Sequence, residues 1–475
     1  MFVKRFFEPK LAQTSYMIGC AEKHECIVID PNRDADQYIK AAEEEGARIA
    51  HITETHIHAD FLSGSRELAA RTGGTLYVSD EGGADWKYAF AGEPKVKRIK
   101  DGDRIQVGNI ILDVLHTPGH TPEHVSFIVT DTAGASEPIA AATGDFIFVG
   151  DVGRPDLLEK VANVKGTMEV GAKTLFASLR KFSSRPDWLQ IWPGHGAGSA
   201  CGKGISAIPQ STLGYERRFN WAFKHDTEAT FVASVLAGQP DPPKYFAEMK
   251  RLNKEGPRIL HGFKRPECLD FAALERKLHE GAVVVDTRRA VNYGTGFIPG
   301  TINIPLNGSF TNWAGWLLPY SADFYLIVDE SRPGAIDGAV RDLAMIGLDR
   351  LGGYFDVAVV DQWAAAGRRL GTIPQIDASD LKESLAHDAV TLVDVRNTNE
   401  WELGHIAGAR HIPLGHLSDR IGEIPKTKPI VLQCEAGSRS AIGASLLKRH
   451  GVEQVINLAG GFNDWLKAQY PTTDN

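Results

Sequence analysis

The chain has 475 residues, 43% of them hydrophobic and 24% charged, with a formal net charge of −8. That length exceeds what one hydrophobic core serves, so several domains are expected, and the acidic balance argues against a general binder of nucleic acid or of anionic membrane. No run approaches the roughly 18 apolar residues of a membrane span, and the scattered, odd set Cys20, Cys26, Cys201, Cys268 and Cys434 does not read as a disulfide framework, which makes a reducing cytoplasm the expected location.

In chain order, Met1 to Glu8 is too short an apolar start for a signal peptide. Residues 25–30 read as a buried strand, 35–46 as a helix ending at Gly46, and the run from Ile49 as a strand delivering Thr55-His56-Ile57-His58-Ala59-Asp60-Phe61. Further strands are expected at 110–115, 125–130 and 139–143. Three more histidine or aspartate motifs follow β-rich runs: Thr117-Pro118-Gly119-His120-Thr121 (with His116 before it), Thr143-Gly144-Asp145, and Trp192-Pro193-Gly194-His195-Gly196. A lone histidine is commonly structural. Four such motifs, each at a strand end, point to loops converging on one metal.

These motifs make the first 240 or so residues resemble the metallo-β-lactamase fold, and most closely its persulfide dioxygenase branch; Gly150-Asp151-Val152-Gly153-Arg154-Pro155-Asp156 strengthens the resemblance. The resemblance implies an αββα sandwich in which His56, His120 and Asp145 bind Fe(II), one ion per chain. Two neutral imidazoles and a carboxylate with open positions beside them are the ligand set of non-heme Fe(II) oxygenases. Hydrolases of the same fold commonly hold a second metal partly through an Asp-His pair. Here that pair is Asp60-Phe61, and a phenyl ring cannot coordinate a cation. His58, Asp60 and His195 are therefore expected around the ligands or in the pocket, together with Arg154 and Lys203. The loop 196–203 departs from the Asp-Tyr that often follows this histidine in glutathione-dependent relatives, and it brings Cys201 within reach of the metal, either as a group that carries or positions sulfane sulfur or as a buried, inert cysteine.

The second half contains a duplication. Val285-Asp286-Thr287-Arg288 matches Val393-Asp394-Val395-Arg396, and Gly352-Gly353-Tyr354 matches Gly460-Gly461-Phe462 at the same offset. A repeat of about 100 residues is a tandem domain rather than a solenoid unit. In the second copy Cys434-Glu435-Ala436-Gly437-Ser438-Arg439 lies between a buried strand and a helix expected over 441–450. Loop amides and a helix N-terminus there favour a thiolate or persulfide, and Arg439 is expected to donate to an oxyanion. The segment resembles the active-site loop of rhodaneses. In the first copy Asp329 takes the cysteine's place, so that copy is expected to be silent.

The expected architecture is α/β: a metallo-β-lactamase-fold domain over 1–245, an inactive rhodanese-like domain over 258–370 and an active one over 375–475. The resemblance implies oxidation of a low-molecular-weight thiol persulfide by O2 to sulfite, coupled to sulfur transfer through Cys434 that forms or uses thiosulfate. The alternatives are a single-zinc thioester hydrolase of the glyoxalase II type fused to a sulfurtransferase, and a sulfane-sulfur carrier. No nucleic-acid or membrane partner is expected, and the silent repeat suggests a homo-oligomer.

Overall fold

The apolar runs of the first half close into two six-stranded sheets packed face to face. The computed structural model describes residues 1–162 and 166–474, which divide into two compact units: Met1–Phe263 with Ala344–Gly347, and Lys264–Leu343 with Leu348–Asn475. In the first unit one sheet runs in the order Phe2–Glu8, Gln13–Cys20, Glu25–Ile29, Arg48–Thr53, Thr75–Ser79, Val96–Ile99. The other runs Ser211–Thr212, Gln190–Pro193, Ala140–Gly144, Val125–Asp131, Ile110–His116, Arg104–Val107. Ile18, Ile27 and Ile29 of the first sheet meet Leu112, Phe127 and Val129 of the second in one buried core.

The outer face of each sheet is also apolar, so each recruits helices. Tyr38 and Ala41 of the helix Ala35–Glu44, with Leu68 of Ser65–Thr72, cover the first sheet. Leu175 and Leu179 of Thr167–Phe182, with Phe231 and Val235 of Glu228–Leu236, cover the second. The result is an αββα sandwich. The strands expected near 25, 49, 110, 125 and 139 are all present. The helix Tyr245–Glu255 carries the first unit past the expected boundary at 245.

The second unit holds two parallel sheets with the same strand order. One is Ile302–Asn303, Val283–Asp286, Phe324–Val328, Leu351–Asp356. The other is Arg410–His411, Thr391–Asp394, Ile430–Gln433, Val455–Leu458, with Gln375–Ile376 added at the edge. Strands such as Phe324–Val328 and Ile430–Gln433 are buried along their whole length, as parallel strands covered on both faces must be. The duplication extends to side chains. Arg288 pairs with Asp286 and reaches the Gly296 carbonyl; Arg396 pairs with Asp394 and reaches the Gly404 carbonyl. Among the described residues no helix is long and apolar enough to cross a membrane.

Candidate functional site

The loops at the strand ends of the first unit bring His56, His120 and Asp145 together, with one ligating atom from each lying within 4.8 Å of the others. Their hydrogen bonds fix which atoms are free. The Thr55 hydroxyl donates to Asp30 Oδ2 (2.8 Å), so it can only accept from His56 Nδ1 (2.9 Å). His120 Nδ1 donates to the Arg154 carbonyl (2.9 Å), which has no hydrogen to give back. Both imidazoles are thereby held with the proton on Nδ1 and a lone pair on Nε2. Burial pushes the pKa of both rings down and keeps them neutral. His56 Nε2 and Asp145 Oδ2 are buried without a hydrogen-bond partner, and His120 Nε2 stands 3.6 Å from that same oxygen. Buried polar atoms left unpaired are costly. Two imidazole lone pairs and a carboxylate oxygen aimed at one point fit a divalent cation.

The backbone preceding Asp145 admits only glycine. Gly144 has φ +49°, and a Cβ there would lie 2.5 Å from Thr55 Oγ1 and 2.8 Å from His124 Nε2. His124 Nε2 in turn accepts from the Asp145 amide (3.1 Å).

A second group lies alongside, in which Asp60, His195 and Cys201 also offer atoms within 4.8 Å of one another. His195 bridges two carboxylates, Nδ1 to Asp145 Oδ1 at 2.8 Å and Nε2 to Asp60 Oδ2 at 2.6 Å. Carboxylates only accept, so both nitrogens carry protons. Burial opposes the charge, but Asp145 and Asp60 raise the imidazole well above its ordinary pKa. The same imidazolium, against the cost of burial, holds Asp145 well below the usual carboxylate range. Cys201 is buried, and burial with the Asp60 and Asp145 charges pushes its thiol far up. The expected sulfur-carrying role of Cys201 therefore meets an obstacle, because the nucleophile is the thiolate.

The remaining expected residues separate into two kinds. His58 Nε2 meets Asp30 Oδ1 at 3.0 Å; burial resists, but Asp30 lifts His58 to about 9, and its ring lies 4.4 Å from that of Phe61. Arg154 is fully buried, forked onto Asp156 (2.7 Å twice), and presents its carbonyl to His120. Lys203 departs from expectation. Its ammonium donates to the Ser234 and Ala237 carbonyls and lies over Trp221 at 4.2 Å, because the end of the helix Glu228–Leu236 offers unpaired carbonyls.

Three supporting residues escaped the sequence reading. Asp30 accepts from Thr55 and His58, and Glu123 accepts from the Ile57 amide (2.8 Å). Asn253 donates to the carbonyls of His58 and Phe61 and accepts from the Ser63 amide. Asp30 carries a signal, an acid at the end of a buried strand beside the histidine-bearing one. Asn253 carries none, since it arrives from a helix far along the chain.

In the second unit Cys434 lies at the end of Ile430–Gln433, fully buried, with the Ser440 hydroxyl 3.4 Å from its sulfur. The helix begins at Ser438 rather than 441, so its N-terminus closes directly on the cysteine loop. The amides of residues 435–440 have no protein acceptor among the described residues. Gly461 permits the neighbouring turn to approach: a Cβ there would lie 2.3 Å from the Cys434 carbonyl. Arg439 is not free, as expected of an oxyanion donor. Glu400 grips it at 2.6 Å on both nitrogens, and Glu435 stands at 3.5 Å. In the first repeat the register sets Val328, not the expected Asp329, where the second repeat has Cys434, since Asp286 pairs with Ile327 as Asp394 pairs with Gln433. The next residue, Asp329, turns its carboxylate to accept from the Ser331 amide and hydroxyl of its own loop.

Residues 9–195 match the Metallo-beta-lactamase superfamily, and residues 377–468 match the Rhodanese-like domain. A probable metallo-hydrolase of Burkholderia pseudomallei (strain 1710b) is 30% identical over 221 residues, 41% of this chain and 72% of that protein. The mitochondrial persulfide dioxygenase ETHE1 of Homo sapiens is 31% identical over 201 residues, 41% of this chain and 68% of that protein. The crystal structure of a metallo-beta-lactamase from Staphylococcus aureus subsp. aureus COL is 43% identical, with a TM-score of 0.67, covering 75% of this chain and 99% of that one. With relatives of this similarity on one side and the buried cysteine loop on the other, the chain belongs to the metallo-beta-lactamase superfamily and joins that fold to a rhodanese-like domain.

Proposed function

We propose that the chain is a persulfide dioxygenase coupled to a sulfurtransferase, with domain boundaries near those expected from sequence except that the first domain runs on through the helix Tyr245–Glu255. The observation that carries this reading is the convergence of two neutral imidazoles and a carboxylate oxygen at His56, His120 and Asp145, with His56 Nε2 and Asp145 Oδ2 buried and without a hydrogen-bond partner. These residues would hold Fe(II), which supplies the one-electron chemistry that dioxygen needs. The similarity to ETHE1 supports the same reaction class.

The overall chemistry balances as R–S–SH + O2 + H2O giving R–SH, sulfite and two protons. The chain's own part is to orient the ligands through Thr55 and the Arg154 carbonyl. His195 places protons on Nδ1 and Nε2 beside Asp145 and Asp60. Cys434 then takes part as a persulfide. Sulfite attacks its outer sulfur, the S–S bond breaks, and the thiolate of Cys434 leaves as thiosulfate forms. The unpaired amides of 435–440 stabilise that anionic sulfur. Arg439, tied to Glu400, shapes the loop. We assign sulfur carrying to Cys434 rather than Cys201, which the chain holds as a buried neutral thiol.

Metal analysis with oxygen uptake tests the reading. The expected result is about one iron per chain and persulfide-dependent oxygen consumption, both lost in Asp145→Asn and His120→Ala. Zinc in place of iron, with thioester turnover, would overturn it in favour of the hydrolase.

A further inference from the structure

The first repeat has lost its cysteine and kept its cavity. A space of about 590 Å³ opens at the end of the strand Phe324–Val328, with Val328, Leu306 and Trp313 as an apolar wall. Arg289 and Arg332 stand on its exposed rim, and among the described residues neither guanidinium has an ion pair or hydrogen bond. The acid in the cavity does not serve them, because the Asp329 carboxylate is turned to Ser331 in its own loop. Arg288 is equally committed, to Asp286. Two exposed guanidinium groups without a protein partner, above an apolar wall, fit a molecule with a carbon body and anionic groups.

The far side of this cavity belongs to the second repeat. Ser438 and Ile442 line it, and both lie on the helix Ser438–Arg449. Ser445 and Arg449 continue the same helical face. Ser445 Oγ accepts from the Asn303 amide (2.9 Å), and Arg449 donates to the Gly300 carbonyl (2.6 Å). One face of this helix is thus docked on the first repeat along its length. Its N-terminal end, where the Cys434 loop enters, is fixed at the cavity.

We propose that the cavity of the first repeat binds the carrier thiol that exchanges sulfane sulfur with Cys434. The ligand class is a low-molecular-weight thiol bearing phosphate or carboxylate groups, held by Arg289 and Arg332 with its body against Trp313 and Leu306. In the exchange the Cys434 thiolate attacks the outer sulfur of R–S–SH. The carrier's S–S bond breaks with its electron pair on R–S⁻, and Cys434–S–SH forms with no net oxidation. The exchange step rests on the proposed function of Cys434; binding of the carrier does not.

Isothermal titration of the full chain tests this with coenzyme A as the phosphate probe and glutathione as the carboxylate probe. At least one is expected to bind saturably to the wild type. Binding should weaken by about tenfold or more in the double variant Arg289→Gln/Arg332→Gln, and Cys434→Ser should bind as the wild type does. Val291→Trp, which intrudes on the cavity from an exposed position, provides an independent second loss. Whichever probe responds identifies the anionic group. If neither probe binds, or if binding survives both the double variant and Val291→Trp, the inference is overturned. Thiosulfate production on the same samples separates the two readings. A chain that makes thiosulfate yet binds neither probe sinks the cavity's role alone. A chain that binds a probe through both arginines and makes no thiosulfate sinks the sulfur-transfer reading alone.

Discussion

Asn253→Ala should damage the metal loop although Asn253 touches no ligand. The side chain is buried on the helix Tyr245–Glu255. Its Nδ2 donates to the His58 and Phe61 carbonyls at 2.8 Å each, and its Oδ1 accepts from the Ser63 amide at 2.9 Å. These bonds pin the segment that carries Asp60 and continues from His56. The substitution strands three buried backbone groups. At about 1–3 kcal/mol for each unsatisfied group, with partial relaxation, the expected loss is roughly 3–5 kcal/mol. Asn253→Asp keeps the acceptor but turns a carboxylate oxygen toward two carbonyls, so it should do no better.

The measurement is urea denaturation followed by fluorescence, paired with iron content after dialysis. Iron retention should fall by about tenfold, the effect expected when support for the first ligands is lost. A change below about 1 kcal/mol with full iron retention would show that the segment holds its own shape, and the clamp reading would be refuted.

Cys434→Ser should leave oxygen uptake intact and shift the product from thiosulfate toward sulfite; an unchanged product ratio by ion chromatography would break the coupling scheme. Glu123→Gln should flatten part of the stability–pH curve. Burial lifts Glu123 from 4.5 to about 7, so between those values the folded chain binds more protons than the unfolded one and wild-type stability falls as pH rises. The full shift is worth roughly 3 kcal/mol. Glutamine keeps the acceptor for the Ile57 amide without titrating, so urea midpoints at pH 5 and pH 8 should lie closer together in the variant. An identical pH dependence in the two proteins would refute the assignment.

What was legible in the sequence was what chain order concentrates. A buried strand followed by a histidine or aspartate turn is a local pattern, and strands such as Arg48–Thr53 and Ala140–Gly144 lie where that pattern puts them. The αββα sandwich was implied by the resemblance those motifs carry, and the duplication was visible because Asp286-Thr287-Arg288 and Asp394-Val395-Arg396 stand at equivalent strand ends. The glycine pairs are not equivalent, since Gly352 and Gly353 lie inside the strand Leu351–Asp356 while Gly460 and Gly461 follow the strand Val455–Leu458. What stayed hidden depends on distant packing. Nothing near Asn253 marks it as the clamp of a loop almost two hundred residues earlier. Glu400 gave no warning that it would occupy Arg439, because the pair forms only when the helix Thr398–Glu402 and the cysteine loop meet. Lys203 sits in a loop that runs to the site while its long side chain runs elsewhere.

Charge explains why Phe61 can stand where the hydrolases this chain resembles place a metal-binding histidine. Burial keeps His56 and His120 neutral, so the pocket's negative charge comes from Asp145 and Asp60. His195 returns one positive charge by bridging both carboxylates at 2.8 and 2.6 Å. A single divalent ion held at the free Nε2 atoms and Asp145 Oδ2 would then turn the net charge of these groups from one negative to one positive. A second would have to strip protons from His195 and break both bridges, in a site where Cys201 is held protonated and adds no charge. In this balance the imidazolium would stand in for a second cation, and the phenyl ring of Phe61 offers no ligand atom. From this balance we infer that the chain is built for one cation. On that reading a cation held by His56, His120 and Asp145 would have beside it, on His195, the two protons that bridge Asp145 and Asp60.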